Sequence, residues 1–165
     1  MSERRQVYVA VVGPSEANAE EAGWAEAIGR GLARAGAVVL CGGLGGAMDA
    51  VARGAESEGG LVVGILPGPG REGSSRHLTV ALPTGLGETR NALIVRAADT
   101  VIAVSGEFGT LSEIALALRL GVPVVGLGTW RLSKPGQEDA VDPIERAEDP
   151  EDAVRRALAV AEGSS

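Results

Sequence analysis

The chain has 165 residues, a formal net charge of −7 at neutral pH and a pI of about 4.8. Its length suits one ordinary domain over residues 1–165, and its acidic balance argues against broad binding to nucleic acid or an anionic membrane. Aromatic residues make up 2%, too few for stacking along single-stranded RNA or DNA, and the single cysteine, Cys41, excludes an intrachain disulfide or a multi-thiolate zinc site. No signal peptide is legible and no apolar run approaches the roughly 18–20 residues that span a bilayer, so a cytoplasmic protein with no membrane partner is expected.

In chain order, residues 7–12 read as a first strand, broken by Pro14 and Ser15. Asn18 with Glu21 three residues on reads as a helix start. Trp24, Ile28 and Leu32 follow at four-residue spacing, and Gly36 closes that helix. Residues 37–41 read as a second strand, 42–46 as a turn, and 47–57 as a helix with Met48, Val51 and Ala55 on one side. A third strand over 61–66 leads into a Pro/Gly/Ser-rich loop and a shorter strand over 78–82. The pattern continues with a helix over 88–98, a strand over 100–104, a helix over about 110–120 and a strand over 122–127. Residues 129–142 turn polar, and Asp149-Pro150-Glu151 opens a last amphipathic helix. Near-continuous apolar strands alternating with helices predict an α/β, Rossmann-like, doubly wound and mainly parallel sheet with helices on both faces.

Directly after the second strand stands Cys41-Gly42-Gly43-Leu44-Gly45-Gly46-Ala47-Met48. Its glycines permit close backbone approach to a ligand ahead of a helix N-terminus, or equally a tight strand-to-helix turn. It is not the dinucleotide fingerprint, whose spacing differs and which follows a first strand. Gly68-Pro69-Gly70-Arg71-Glu72-Gly73 fits that fingerprint literally, but no helix opens after it. As a flexible loop with Arg71, Ser74, Ser75 and Arg76 it could instead close over a ligand.

The stretch Ser105-Gly106-Glu107-Phe108-Gly109-Thr110-Leu111-Ser112-Glu113 runs from a buried-looking strand into a helix. That is where open α/β sheets bind ligands, and helix amides there suit a phosphate. Thr110 can add a hydroxyl, and Glu113 places a carboxylate one turn on. The same Thr-x-x-Glu spacing also reads as a capping box. Arg90, at the start of the preceding helix, is not favoured by the helix dipole; an anionic partner would explain it, and the spacing alone equally reads as a solvated surface residue. His77 and Cys41 have no supporting neighbours in sequence and receive no role.

Taken together, the glycine turn running into Gly46-Ala47-Met48-Asp49-Ala50-Val51-Ala52-Arg53-Gly54-Ala55, the helix-start Arg90, and Gly106-x-x-Gly109-Thr110-Leu111-x-Glu113 resemble the Lonely Guy (LOG) family. That family has been labelled "lysine decarboxylase-like", and the match is to its shorter branch related to the molybdenum cofactor carrier protein. In the family signature Pro-Gly-Gly-x-Gly-Thr-x-x-Glu, Ser105 stands for the proline and Glu107 for the second glycine. The family's Arg-Lys pair is Arg90-Asn91 here.

The resemblance implies Arg90 and Glu113 as a catalytic pair. It implies Gly42, Gly43, Gly45, Gly46, Met48, Gly106, Glu107, Gly109 and Thr110 as the ligand-binding set. The activity implied is hydrolysis of a nucleoside 5′-monophosphate to free base and ribose 5-phosphate, with no metal or redox cofactor. The alternative is a non-catalytic carrier for molybdenum cofactor or another anionic small molecule. Family members are homodimers or larger, so a homo-oligomer is expected. A decarboxylase is disfavoured, because Lys134, the only lysine, lies in the polar loop. Glu107 points away, serves another ligand, or marks a site that has lost this substrate, since a carboxylate about 4 Å from a phosphate repels it by roughly 4 kcal/mol at an effective dielectric near 20.

Overall fold

Strands that are apolar on both sides need cover on both sides, and the computed structural model, which describes residues 5–163, shows how the chain supplies it. The elements are β1 (Tyr8–Val12), α1 (Ala19–Arg34), β2 (Val38–Cys41), α2 (Ala47–Ser57), β3 (Val62–Leu66) and β4 (Val80–Pro83). A 3-10 turn over Gly87–Arg90 leads into α3 (Asn91–Arg96), then β5 (Thr100–Val104), α4 (Phe108–Leu120), β6 (Val124–Leu127), β7 (Glu145–Arg146) and α5 (Pro150–Gly163). The strands form one parallel sheet in the order β4-β3-β2-β1-β5-β6-β7.

Side chains alternate across that sheet. Val9, Val11, Val39, Cys41, Ile102 and Val104 face a core closed by α1, α2 and α5. Ala10, Val12, Leu40, Val101 and Ala103 face the other, closed by α3 and α4. The α/β, Rossmann-like reading of the sequence therefore holds.

Three elements differ from expectation. The helix expected over 88–98 begins as a 3-10 turn and becomes α-helical only at Asn91. α4 starts at Phe108, two residues before Thr110. β7 was not legible: it is two residues long, and its Arg146 is held by Asp142 and the Trp130 carbonyl, each at 2.5 Å, rather than by apolar burial.

The chain leaves β1 toward β4 on one side, then returns to β1's other side with β5. The switch point, where loops diverge and leave a crevice, therefore lies beyond the carboxyl ends of β1 and β5.

Beside it, α1 and α2 cross with their backbones in contact. A Cβ at Gly54 would run into the Glu26 carbonyl oxygen, and one at Gly29 into the Val51 carbonyl oxygen. Arg53 of α2 seals the crossing by donating from Nη2 to the Glu26 carboxylate at 2.9 Å. Gly54→Ala is expected to lower stability by about 2 kcal/mol or more, since the contact is backbone and cannot move aside. Gly23→Ala, in the same pair of helices with nothing within 4 Å, is expected to raise it by about 0.5–1 kcal/mol. Thermal and urea unfolding of the two variants checks both signs; equal effects would contradict the close crossing.

Candidate functional site

The loop after β1 begins at Gly13, where a Cβ would sit 2.9 Å from both the Ala47 Cβ and the Val104 carbonyl oxygen. The ends of β1 and β5 and the start of α2 converge on that point. The loop after β5 takes an unusual path: Ser105 has φ 47°, and Gly106 has φ 101°. A proline, fixed near about −65°, cannot adopt the Ser105 conformation.

Neighbours hold Ser105 in place. Its N–H donates to the Leu127 carbonyl at 2.9 Å, and its carbonyl accepts from Thr129 Oγ1 at 2.5 Å. Its hydroxyl donates at 2.5 Å to Glu21, which also caps α1 with Asn18. A side chain on Gly106 would collide with Thr110, which tucks beneath the loop and is buried.

Glu107 is the N-cap residue of α4 but offers no side-chain cap, and the first intrahelical bond runs from the Leu111 N–H to the Glu107 carbonyl at 2.9 Å. The amides of Phe108, Gly109 and Thr110 therefore lack intrahelical acceptors, as in any helix start. The capping-box reading of Thr110 and Glu113 is corrected: both lie inside α4 and neither caps it. A capping box does form at Asn18 and Glu21, whose reciprocal bonds are both 2.9 Å.

Arg90, the last residue of the 3-10 turn, packs over the end of β2. It is 8% exposed, and its Nε is the one buried side-chain polar atom without a hydrogen-bond partner among the described residues. Its guanidinium lies against the space a Gly42 Cβ would fill, beside the Met48 sulfur. Gly42 is thus what lets the arginine pack over the end of β2.

Glu113 is 7% exposed, and burial pushes its carboxyl up to about 7, an effect that the positive charge of Arg90 only partly offsets. Burial in turn lowers the Arg90 guanidinium, an effect that the neighbouring Glu113 carboxyl offsets in part. No ion pair joins Arg90 to Glu113 among the described residues. Burial also raises the Cys41 thiol to about 11, which leaves it neutral and inert at the end of β2.

These walls enclose a cleft of about 370 Å³, within the size range of small-molecule sites. Of the expected residues, Met48, Arg90, Glu107, Gly109, Thr110 and Glu113 line it; Gly42, Gly43, Gly45, Gly46 and Gly106 do not. Gly43, at φ 75°, instead packs its Cα side against Leu66, where a Cβ would come within 2.6 Å, and Gly46 abuts the Pro14 and Ser15 carbonyls.

Sequence reasoning overlooked Gly13 to Glu16, Asn91 and Phe108 as lining residues. The signal available for the first group was the Pro14-Ser15 break after the first strand. The loop over 68–77 does not line the cleft. The Ser75 N–H donates to the Gly43 carbonyl at 2.8 Å, its hydroxyl to Asp49 at 2.6 Å, and His77 pairs with Glu56, so the loop lies back on the glycine turn and α2. Among the described residues no group of His, Cys, Asp and Glu gathers in an arrangement that could hold a metal ion.

The description "SLOG cluster4 family" belongs to the family whose model matches residues 6–154. An uncharacterised protein of Archaeoglobus fulgidus is 40% identical over 121 residues, which cover 73% of this chain and 80% of that protein. The structure of the molybdenum cofactor binding protein from Rippkaea orientalis superposes with a TM-score of 0.85 at 32% identity, covering 96% of this chain and 99% of that one. The molybdenum cofactor carrier protein of Chlamydomonas reinhardtii gives a TM-score of 0.83 at 27% identity, with the same coverage of 96% and 99%.

The raised Glu113 carboxyl makes stability depend on pH. Between the ordinary value of 4.5 and about 7, the folded protein holds a proton that the unfolded chain has released. The stabilisation is full at the acid end and is lost as pH rises through about 7. Glu113→Gln is expected to abolish this loss, so that the variant gains on the wild type by roughly 3 kcal/mol between about pH 4.5 and about pH 8. Urea unfolding across that range checks it; parallel curves for the two proteins would contradict it.

Proposed function

Since the chain belongs to the SLOG cluster4 family, we propose that it binds and carries an anionic, phosphate-bearing small molecule in the cleft beyond β1 and β5, molybdenum cofactor being the leading candidate. The observation that carries this reading is Arg90, a guanidinium withdrawn from water with its Nε left unpartnered on a cleft wall. A buried unsatisfied donor costs about 1–3 kcal/mol, more for a charged group, and an anion in the cleft removes that penalty. The amides at the start of α4 offer the same ligand further donors and the positive end of the helix dipole. The two molybdenum cofactor proteins of similar structure favour that cargo. Glu107 and Glu16, exposed on the same cleft, oppose indiscriminate anion binding and leave Arg90 and the helix amides to hold a ligand that can reach them.

A second reading, hydrolysis of a nucleoside 5′-monophosphate to base and ribose 5-phosphate, is favoured by one feature: Glu113, poised at about 7, lines the cleft with Arg90. Cleaving an N-glycosidic bond builds positive charge on the sugar, which an ionised Glu113 would stabilise while orienting water. The carrier reading predicts no base release from AMP, GMP, CMP, UMP or a cytokinin monophosphate. Release that disappears in Glu113→Ala would put the hydrolase first.

For the binding itself, Arg90→Met keeps the bulk of the side chain and removes its charge. Titration calorimetry with molybdenum cofactor and with 5′-AMP is expected to show affinity reduced about ten-fold or more, with thermal stability unchanged or higher. Undiminished affinity would remove Arg90 from the site and the reading with it.

We also propose a homo-oligomer. β4 is an edge strand with Val80 and Leu82 exposed on one of its faces, and Leu86 and Leu93 are exposed close by in sequence. Such an edge is normally covered. Sedimentation velocity at micromolar concentration is expected to show at least a dimer, and a monomer would contradict it.

A further inference from the structure

Phe108 is the chain's single phenylalanine, and it is 77% exposed. It opens α4 and lines the cleft, in the same turn whose amides lack intrahelical acceptors. Its neighbour is Trp130, with ring centroids 5.7 Å apart and planes tilted by 36°. Trp130 is itself held: it packs on the core beneath α3 and α4, and its indole N–H donates to the Glu107 carbonyl at 3.3 Å. Two of the chain's four aromatic residues (Trp 2, Tyr 1, Phe 1) are thus set together at one mouth of the cleft. The pair leaves one braced aromatic face open to water beside the cleft.

The partner chemistry follows from position. A phosphate held by the amides of residues 108–110 lies within one side-chain length of the Phe108 ring, because the first of those amides belongs to the same residue. Arg90, more than nine-tenths buried with an unpartnered Nε in the lining of the same cleft, independently calls for the anion. Asn91 and Glu16 also line the cleft and can meet donors and acceptors on the edge of a ring.

We infer that Phe108, braced by Trp130, is the stacking platform for a planar heteroaromatic group on the ligand, so that the cleft selects phosphate esters of fused heterocycles, such as purines or pterins, over bare sugar phosphates. This rests on the phosphate-binding reading above. Every such ring presents a π-face, so Phe108 sets the class of ligand, and the edge groups of Asn91 and Glu16 discriminate within it.

The test is calorimetric titration of wild type, Phe108→Ala and Phe108→Tyr with 5′-AMP and with ribose 5-phosphate. Wild type is expected to bind 5′-AMP more tightly than ribose 5-phosphate. Phe108→Ala is expected to weaken 5′-AMP about ten-fold or more, the usual scale of one base–aromatic stack, while ribose 5-phosphate changes less than about two-fold. Phe108→Tyr, which keeps the ring, is expected to retain the 5′-AMP affinity.

Equal binding of the two ligands by wild type, or equal losses for both in Phe108→Ala, overturns the stacking role and leaves the phosphate site standing. Failure of wild type to bind either ligand overturns this inference, and the phosphate reading falls with it if molybdenum cofactor does not bind either. A Phe108→Ala protein that dissociates to a smaller species in sedimentation velocity, with 5′-AMP affinity intact, assigns the ring to a second copy of the chain and overturns the inference. The ring is exposed, so the substitution removes no core packing and each outcome can be read.

Discussion

An arginine buried with its Nε unpartnered is an unstable arrangement, and here it lines the same cleft as a buried carboxyl group with which it makes no ion pair. Each group's withdrawal from water shifts it toward its neutral form, and each one's charge holds the other part of the way back. Both line the cleft, and no ion pair closes the gap between them. Had the two closed into an ion pair, they would have satisfied one another and left little for a ligand to do. The anion binding proposed above, and any chemistry proposed at Glu113, both depend on that gap being held open.

Small residues hold it open. Gly42 makes room for the guanidinium, Gly106 for Thr110, and Gly13 lets the ends of β1 and β5 approach the start of α2. The left-handed turn at Ser105 is kept by three hydrogen bonds that reach into α1, β6 and the segment after β6. The site is thus assembled by the packing of the whole sheet top, and a substitution at a glycine that touches no ligand can still move Arg90.

Much of this was legible in the sequence, and what was missed shares a cause. β5 and α2 fall on their expected bounds because apolar runs and helix periodicity are local properties. The capping box at Asn18 and Glu21 was legible for the same reason. The identical spacing at Thr110 and Glu113 forms no capping box, because the start of α4 is set by how the chain leaves β5, where Ser105 and Gly106 turn left-handed under tertiary constraint. The glycines at 42, 43, 45 and 46 announced close approach, but only the folded chain shows that what approaches is Arg90, Met48, Leu66 and the β1 loop. The lining role of Gly13 to Glu16 follows from strand order, which no local pattern encodes.

The most direct test of a phosphate cradle between α4 and Arg90 is a crystal structure of the protein with 5′-AMP bound. The account predicts the phosphate on the amides of Phe108, Gly109 and Thr110, with Arg90 Nε donating to the ligand and Glu113 facing it across the cleft. A phosphate seated on the glycine turn at Gly42 to Gly46, or on the loop over 68–77, with Arg90 still unpartnered, would contradict it.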